Sequence, residues 1–160
     1  MMGQYFDPAQ VGAELRQDIV ACWITVSNAG GAAGFPFPPV DASIVAPVAD
    51  GLIAGLSPDA SRLIVARAGD DLAGWVHLRR HLTPVIAHWG TIGHLQTLPA
   101  FRGQGVGSAL MMSAGQIARQ EIGLEQLRLA ARGGMGLERY YPKLGWRDRP
   151  LARRIAAGTR

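Results

Sequence analysis

The sequence predicts a mixed α/β fold, of the α+β kind, in which helices flank a central sheet that is partly antiparallel and partly parallel. Three observations predict it. Apolar residues recur at helical spacing near the N-terminus, a hairpin signal lies in the middle of the chain, and helix and strand patterns alternate after about residue 100. The 160 residues fit one domain over 1–160, long enough to bury a core without disulfides.

The first helix is predicted over 8–28, with Pro8 in its first turn. Four apolar residues mark its buried face at intervals of four: Val11, Leu15, Ile19 and Trp23. The following segment, 28–39, contains too much Gly and Pro for a regular element. A second helix is predicted over 41–56, with Asp41 as its N-cap.

The middle of the chain predicts three strands. Residues 63–67 and 72–78 flank a Gly-Asp-Asp turn at 69–71, which is typical of an antiparallel hairpin. Residues 90–98 form the next strand candidate. A helix over 103–123, a strand over 125–131 and a helix over 135–144 ending at Gly145 follow.

Composition and charge limit the class of protein. A single cysteine, Cys22, excludes an internal disulfide framework and a cysteine-based zinc site, and the four histidines lack metal-binding spacing, so we expect no metal. No apolar run is long enough to span a membrane and no secretion signal is evident, so we expect a soluble cytoplasmic protein.

The net charge of +4 is unevenly distributed. Residues 1–98 carry five arginines against eight acids, a charge of −3, and residues 99–160 carry ten arginines and one lysine against four acids, a charge of +7. This favours an anionic partner for the second half, or simply a solvated basic face. The absence of a dense basic run with interleaved aromatics argues against nucleic acid.

The most informative segment is a glycine-rich turn between a predicted strand and a predicted helix. Its residues are Arg102, Gly103, Gln104, Gly105, Val106 and Gly107. Glycines let successive N–H groups point into one concavity, and the helix N-terminus adds unpaired donors, which together suit a phosphate or pyrophosphate. A turn that binds nothing is the alternative reading.

Two common phosphate motifs do not fit this turn. A P-loop needs a lysine, and the only lysine is Lys143; the dinucleotide fingerprint fails because Ser108 replaces its last glycine. The pattern Q/R-x-x-G-x-G/A matches in full at Arg102, Gly105 and Gly107.

With this motif and a later run, Glu138-Arg-Tyr-Tyr-Pro-Lys-Leu-Gly-Trp146, the chain resembles the GNAT superfamily of acetyl-CoA-dependent N-acyltransferases over about 60–146. The resemblance implies parallel strands that splay apart and acetyl-CoA as co-substrate. The implied activity is direct transfer of the acetyl group to a primary amine of a small molecule or peptide, through a tetrahedral intermediate.

The resemblance also implies roles for individual residues. Backbone amides of 102–107 would bind the pyrophosphate, backbone groups of Leu95 and Thr97 would pair with the pantetheine arm, and the Thr97 N–H would lie near the thioester carbonyl. Tyr141 aligns with the family's general acid, with a packing role as the alternative.

The general base is less well defined. Where the family often has Glu, this chain has Gly93, and the adjacent His94 is our candidate base. Strand alternation directs His94 to the other face from Gly93 unless a bulge intervenes. His81, His88, a water relay or an already deprotonated amine remain alternatives; Cys22, flanked by apolar residues, is not expected to act as a nucleophile.

Two other functions stay open. The missing Glu, and the absence of an Asn that the family often places before its Tyr, favour a non-catalytic acyl-CoA-binding regulator. The basic second half favours a toxin that acetylates aminoacyl-tRNA.

The acceptor pocket and the oligomeric state are predicted only in outline. Phe35 and Phe37 in the loop 28–39 are candidates for a wall of the acceptor pocket. Residues 147–155 suffice for one polar strand where the family usually has two. We therefore expect a homodimer that pairs through this segment, with a monomer as the alternative.

Overall fold

The computed structural model describes residues 1–31, 34–35, 37–129 and 137–147, and the chain divides into two compact units, Met1–Ala130 and Ala131–Arg160. The first unit contains a five-stranded sheet in the order β1-β2-β3-β4-β5. Its strands are β1 (Met2–Tyr5), β2 (Ser61–Ala68), β3 (Asp71–Arg80), β4 (Trp89–Thr97) and β5 (Gln126–Leu129). The first four strands pair antiparallel and β5 pairs parallel to β4, which confirms the predicted mixed sheet.

Helices cover both faces of this sheet. They are α1 (Ala13–Asn28), α2 (Ala42–Ala54) and α3 (Val106–Ile117). Neighbouring residues of β3 show that α1 and α3 lie on opposite faces. The Trp75 ring packs edge-on against Trp23 of α1, with centroids 5.1 Å apart, whereas a Cβ on Gly74 would lie 3.3 Å from the side chain of Leu110 in α3.

Local signals explain where the helices begin. Asp41 accepts the Ser43 N–H at 2.9 Å, so the predicted N-cap of α2 is confirmed. The first helix begins five residues later than predicted, because Pro8–Gln10 forms a separate 3₁₀ turn closed by a capping box between Asp7 and Gln10. Val11, which follows that turn, has extended backbone, and this separates the turn from α1.

The sequence did not predict one strand, and it placed the start of one helix too early. β1 was not predicted, because its four residues show no alternation that sequence reading could detect. α3 begins at Val106 rather than at residue 103, because Gly103 and Gly105 have positive φ angles and hold a turn before it. The helix continues as a π-helical turn over Ala118–Ile122.

The second unit contains α4 (Leu137–Lys143) among its described residues. The predicted helix end is confirmed: Gly145 has φ +86° and donates its N–H to the Pro142 carbonyl at 3.1 Å. The predicted strand at 147–155 lies outside the described residues, apart from Arg147. No helix in the described parts of the chain is long and apolar enough to cross a membrane.

Trp23 lies at the centre of the core between α1 and the sheet. Its side chain is fully buried and contacts Trp75 and Phe35, with ring centroids 5.1 and 5.2 Å away. Aromatic pairs at such distances and angles stabilise a core beyond the burial of their area. The position of α1 on the sheet therefore depends strongly on this side chain.

We predict that Trp23→Ala lowers the free energy of unfolding by about 3–5 kcal/mol, because it leaves a cavity in the core. The matched control is Leu82→Ala, which removes a side chain that is 80% exposed and should change stability by less than about 0.5 kcal/mol. Urea unfolding of both variants measures the difference. Equal effects would contradict the central position of Trp23.

Candidate functional site

The glycine-rich turn ends β4 and leads directly into α3. Gly103 and Gly105 have φ angles of +76° and +79°, in the left-handed region that favours glycine. Gly105 is the N-cap of α3 and offers no side chain to cap it. The first bond into the helix runs from the Ala109 N–H to the Gly105 carbonyl at 3.0 Å.

This geometry leaves backbone donors at the start of α3. Val106 and Gly107 precede the first intrahelical bond, so their N–H groups have no carbonyl within the helix to bind. The turn at 102–105 is exposed, and the helix dipole is positive at this end. The turn can therefore receive an anionic group of a ligand, and the pyrophosphate site at 102–107 remains a prediction.

The edge of β4 that faces β5 is only partly paired. Parallel pairing covers Trp89–Ile92 of β4, and no described residue pairs with β4 on that side beyond Ile92. On the other side, Leu98 donates its N–H to the Ala73 carbonyl of β3 at 2.9 Å. Because successive residues direct their backbone groups to alternate sides, the N–H and C=O of Thr97 point away from β3.

A bulge in β4 changes the direction of the side chains at its centre. Gly93 pairs with His77 and Gln96 pairs with Trp75, so two residues of β4, His94 and Leu95, lie opposite one residue of β3. The backbone of His94 has φ +57°, which is uncommon for a residue other than glycine. A non-glycine residue in such a conformation is often found at a functional site.

The bulge places His94 on the face of the sheet that packs against α1. Its ring lies 4.8 Å from the Trp23 ring and 6.0 Å from the Trp75 ring, and it stacks on His77 at 6.4 Å. Simple strand alternation, which directed His94 to the opposite face from Gly93, therefore does not apply here. Burial, together with the positive charge of Arg79, lowers the pKa of His94, so its imidazole is neutral at pH 7.

The other histidines have different surroundings. His77 shares a hydrogen bond of 2.7 Å with Ser61, and burial lowers its pKa to about 4. His81 shares a hydrogen bond of 3.0 Å with Thr91. His88 packs against Trp89, with ring centroids 5.2 Å apart. Among the candidate bases His81, His88 and His94, only His94 combines an unusual backbone conformation with a place in the aromatic cluster.

The loop between α1 and α2 reaches His94. The Asn28 side chain closes this loop by two hydrogen bonds to the backbone of Val40, at 2.8 and 2.9 Å. A Cβ on Gly34 would lie 3.3 Å from the His94 ring, so the loop contacts the imidazole. Phe35 packs on Trp23, whereas Phe37 is 85% exposed. The two phenylalanines predicted as one wall therefore have different environments.

Gln96 is a buried polar residue that sequence reasoning missed. It is 1% exposed, and neither atom of its amide has a hydrogen-bond partner among the described residues. Buried amides are normally paired, so this position beside Trp75 is one where water or a ligand atom would be bound.

Tyr141 lies in α4 of the second unit. Its ring packs against Tyr140 and Trp146, with centroids 5.2 and 6.4 Å apart. Burial, with a smaller contribution from Tyr140, raises the pKa of Tyr141, so the phenol keeps its proton near neutral pH. His94, Leu95, Thr97 and the turn at 102–107 thus follow one another along β4 and its end within the first unit, whereas Tyr141 belongs to the second.

Cys22 is fully buried in α1, and burial raises the pKa of its thiol to about 12. A thiol that stays protonated is a poor nucleophile, in agreement with its predicted packing role. Among the described residues, no three His, Cys, Asp or Glu side chains cluster as a metal site would require.

Comparison with known proteins places these features in a family context. The sequence model described as "Acetyltransferase (GNAT) family" matches residues 16–146, which include the sheet from β2 to β5, the glycine-rich turn and Tyr141. No curated protein sequence matches the chain significantly.

Solved structures share the fold at low sequence identity. A ribosomal-protein-alanine N-acetyltransferase from Brucella melitensis biovar Abortus is 18% identical, with a TM-score of 0.62 and 95% of each chain covered. A transcriptional regulator from Bacillus halodurans is 22% identical, with a TM-score of 0.67, covering 95% of this chain and 98% of the regulator. An acetyltransferase from Trypanosoma brucei is 18% identical, with a TM-score of 0.58, covering 97% and 99%.

Proposed function

Because this chain belongs to the GNAT acetyltransferase family, we propose that it transfers the acetyl group of acetyl-CoA directly to a primary amine of a small molecule or peptide. The observation that carries the proposal is the continuity of three features in the first unit. A strand edge without a partner among the described residues leads into a turn with two left-handed glycines, and that turn opens onto the N-terminus of α3.

Each feature suits one part of acetyl-CoA. The N–H groups of the turn at 102–107 and the start of α3 would bind the pyrophosphate. The amides of the pantetheine arm can add to the edge of β4 as a further strand would, through backbone groups of Leu95 and Thr97. This arrangement would bring the thioester carbonyl to the Thr97 N–H, which would stabilise the oxyanion that forms as the amine attacks.

Proton transfer accompanies the bond changes. The amine nitrogen forms a bond to the thioester carbon, the tetrahedral intermediate collapses, and the carbon–sulfur bond breaks. We assign His94 as the base that takes the proton from the attacking amine, because its imidazole is neutral and the bulge turns it to the face of β4 that carries Trp23. We assign Tyr141 as the acid that protonates the departing thiolate, a role supported by its raised pKa.

Two finer predictions from the sequence belong to this proposal. They are a homodimeric assembly through the C-terminal segment and a cytoplasmic location. The regulator and the tRNA-acetylating toxin remain alternatives, which differ from the proposal in having no turnover with amines or in requiring RNA.

The cofactor-binding turn is tested with Gly105→Val. A β-branched residue cannot adopt φ +79° without strain, and its side chain would keep the backbone away from a phosphate. We expect acetyl-CoA affinity to fall at least about 10-fold, as the loss of a hydrogen bond to a charged group predicts. Isothermal titration calorimetry measures the change.

The matched control is Gly115→Val, in the middle of α3, where an added Cβ meets nothing within 4 Å. This variant should bind acetyl-CoA within about twofold of the wild type, since it lies outside the turn. If Gly105→Val is folded by circular dichroism and binds normally, the pyrophosphate site is elsewhere.

The role of Tyr141 is tested with Tyr141→Phe, which removes only the hydroxyl. We expect kcat to fall by about 10²–10⁴-fold with little change in acetyl-CoA affinity, because the acid acts on the leaving thiolate. Tyr140→Phe, one residue away, is the control and should keep kcat within about threefold. The rate constant of the chemical step is measured in the pre-steady state. An unchanged rate constant in Tyr141→Phe would remove Tyr141 from the mechanism.

The role of His94 is tested with His94→Asn, because Asn tolerates a positive φ angle but cannot act as a base. A base must be unprotonated, and the pKa of His94 is lowered, so wild-type kcat should rise with pH through a value below 6.5 and then level off. The variant should lose this rise with pH, and its kcat should fall by about 10²-fold or more. His88→Asn is the control. If that variant loses the rise with pH and His94→Asn keeps it, the assignment is contradicted.

A further inference from the structure

We infer that the acceptor amine carries an anionic group, a carboxylate or a phosphate, and that Arg79 and Arg128 bind this group on the face of the sheet that carries His94. The inference rests on the proposed function and names the substrate class of the same site. Three observations support it: the register of three strands, the absence of an ion pair for either arginine among the described residues, and the open surface at Gly93.

The register places both arginines in one row across the sheet. Arg79 of β3 lies opposite Thr91 of β4, and Thr91 is the register partner of Arg128 in β5. Side chains of register partners point to the same face of a sheet. The two arginines therefore flank Thr91 on one face, with Cα atoms about 10 Å apart over two interstrand spacings.

This face is the one that carries His94. His77 precedes Arg79 by two residues, so both side chains point to the same side of β3, and the His94 ring stacks on His77. The charge of Arg79 also contributes to lowering the pKa of both histidines, which agrees with the placement of all three side chains on one face. One face therefore combines two cations with two neutral imidazoles.

Neither arginine is neutralised within the described parts of the chain. The ion pairs found there join Arg16 to Asp50, Arg62 to Glu121 and Arg67 to Asp18. The strand segments around the pair, 77–81, 89–94 and 126–129, include no Asp or Glu. Both arginines are exposed, so they present positive charge to a ligand without removing a protein partner.

Arg128 is held in place by an aromatic ring. Its guanidinium carbon lies 3.6 Å from the centroid of Trp89, a cation–π contact that orients the planar group. An oriented guanidinium presents its N–H groups as a fork that matches the two oxygens of a carboxylate or phosphate. This contact favours a fixed anion-binding role over a freely moving surface side chain.

The same face is open at Gly93. A Cβ built on Gly93 meets no atom within 4 Å apart from those of its chain neighbours, so no other described residue packs directly over Gly93. Two residues of strand span about 7 Å, which a small amine with an anionic group can bridge. Nearby positive charge also disfavours the ammonium form of the bound amine, which makes the amine a better nucleophile.

The geometry favours a small anionic ligand over a nucleic acid. A nucleic acid requires an extended basic stripe, but Arg62 and Arg67 of the first unit are already paired with carboxylates. The Cα atoms of Arg79 and Arg128 lie about 10 Å apart over two interstrand spacings, so both long side chains can reach one compact anion between them.

The test measures kcat/KM for matched pairs of amines that differ in the anionic group. β-Alanine is compared with β-alaninamide, and phosphoethanolamine with ethanolamine. We expect the wild type to prefer the anionic member by at least about 10-fold, and Arg79→Gln and Arg128→Gln each to reduce that ratio by about 10-fold or more. Arg79→Lys and Arg128→Lys should each keep part of the preference, since lysine keeps the charge but lacks the planar fork.

Arg119→Gln is the matched control. Arg119 is exposed in the π-helical turn after α3, and its loss changes the net charge by the same amount without touching the row at Thr91. This variant should keep the wild-type ratio. If it reduces the ratio as much as the other two, the preference is a general effect of charge and the site is not at Arg79 and Arg128.

A binding measurement separates failure of this inference from failure of the proposed function. In the presence of CoA, N-acetyl-β-alanine should bind at least about 10-fold more tightly than N-acetyl-β-alaninamide, and both arginine variants should lose this difference. Turnover of amines without this preference overturns the anion site and leaves the proposed function standing. The preference without turnover of any amine overturns the proposed function instead.

RNA binding is the other outcome that would contradict the inference. Salt-sensitive binding of RNA by the wild type, lost in both arginine variants and accompanied by no preference between the small products, would overturn the assignment of a small anion.

Discussion

The extra residue in the middle of β4 is the constraint on which the site depends. It lets Gly93 and Gln96 keep their pairing with β3 while His94 turns to the face that packs against α1. Without it, strand alternation would direct the imidazole toward the face covered by α3. The left-handed backbone of His94 is an unfavourable conformation, and contacts of its ring with Trp23, Trp75 and His77 help to hold it.

The second consequence of this strand lies at its end. After the bulge, Thr97 directs its backbone groups away from β3, and the chain then enters the turn with left-handed glycines. The strand edge, the turn and the start of α3 are therefore adjacent in sequence as well as in space. This is why a cofactor-binding region could be predicted from a short stretch of residues.

Features with local causes could be predicted from the sequence, and features with distant causes could not. The hairpin between β2 and β3, the Asp41 cap and the glycine after α4 depend on neighbouring residues, and all three are confirmed. The bulge depends on pairing between two strands, so the sequence could only make the direction of His94 conditional on it. β1 owes its existence to pairing with β2, almost 60 residues later in the chain.

The position of functionally important charges could likewise not be predicted from the sequence alone. Counting arginines and acids assigned the basic character to the second half of the chain, yet Arg79 belongs to the first half. Its importance comes from the register that places it in one row with Arg128 and from the pairing of other arginines with carboxylates. Alternation of Trp75, His77 and Arg79 along β3 was the available signal, but its meaning required the neighbouring strands.

The central claim is that acetyl-CoA binds along the open edge of β4 and on the turn that follows it. Titration of ¹⁵N-labelled protein with acetyl-CoA, monitored through backbone amide shifts, tests this claim most directly. The account predicts the largest changes at Leu95, Thr97, Gly103, Gly105 and Val106, with β1 unaffected. Saturable shifts confined to other parts of the first unit, with these five amides unchanged, would contradict it.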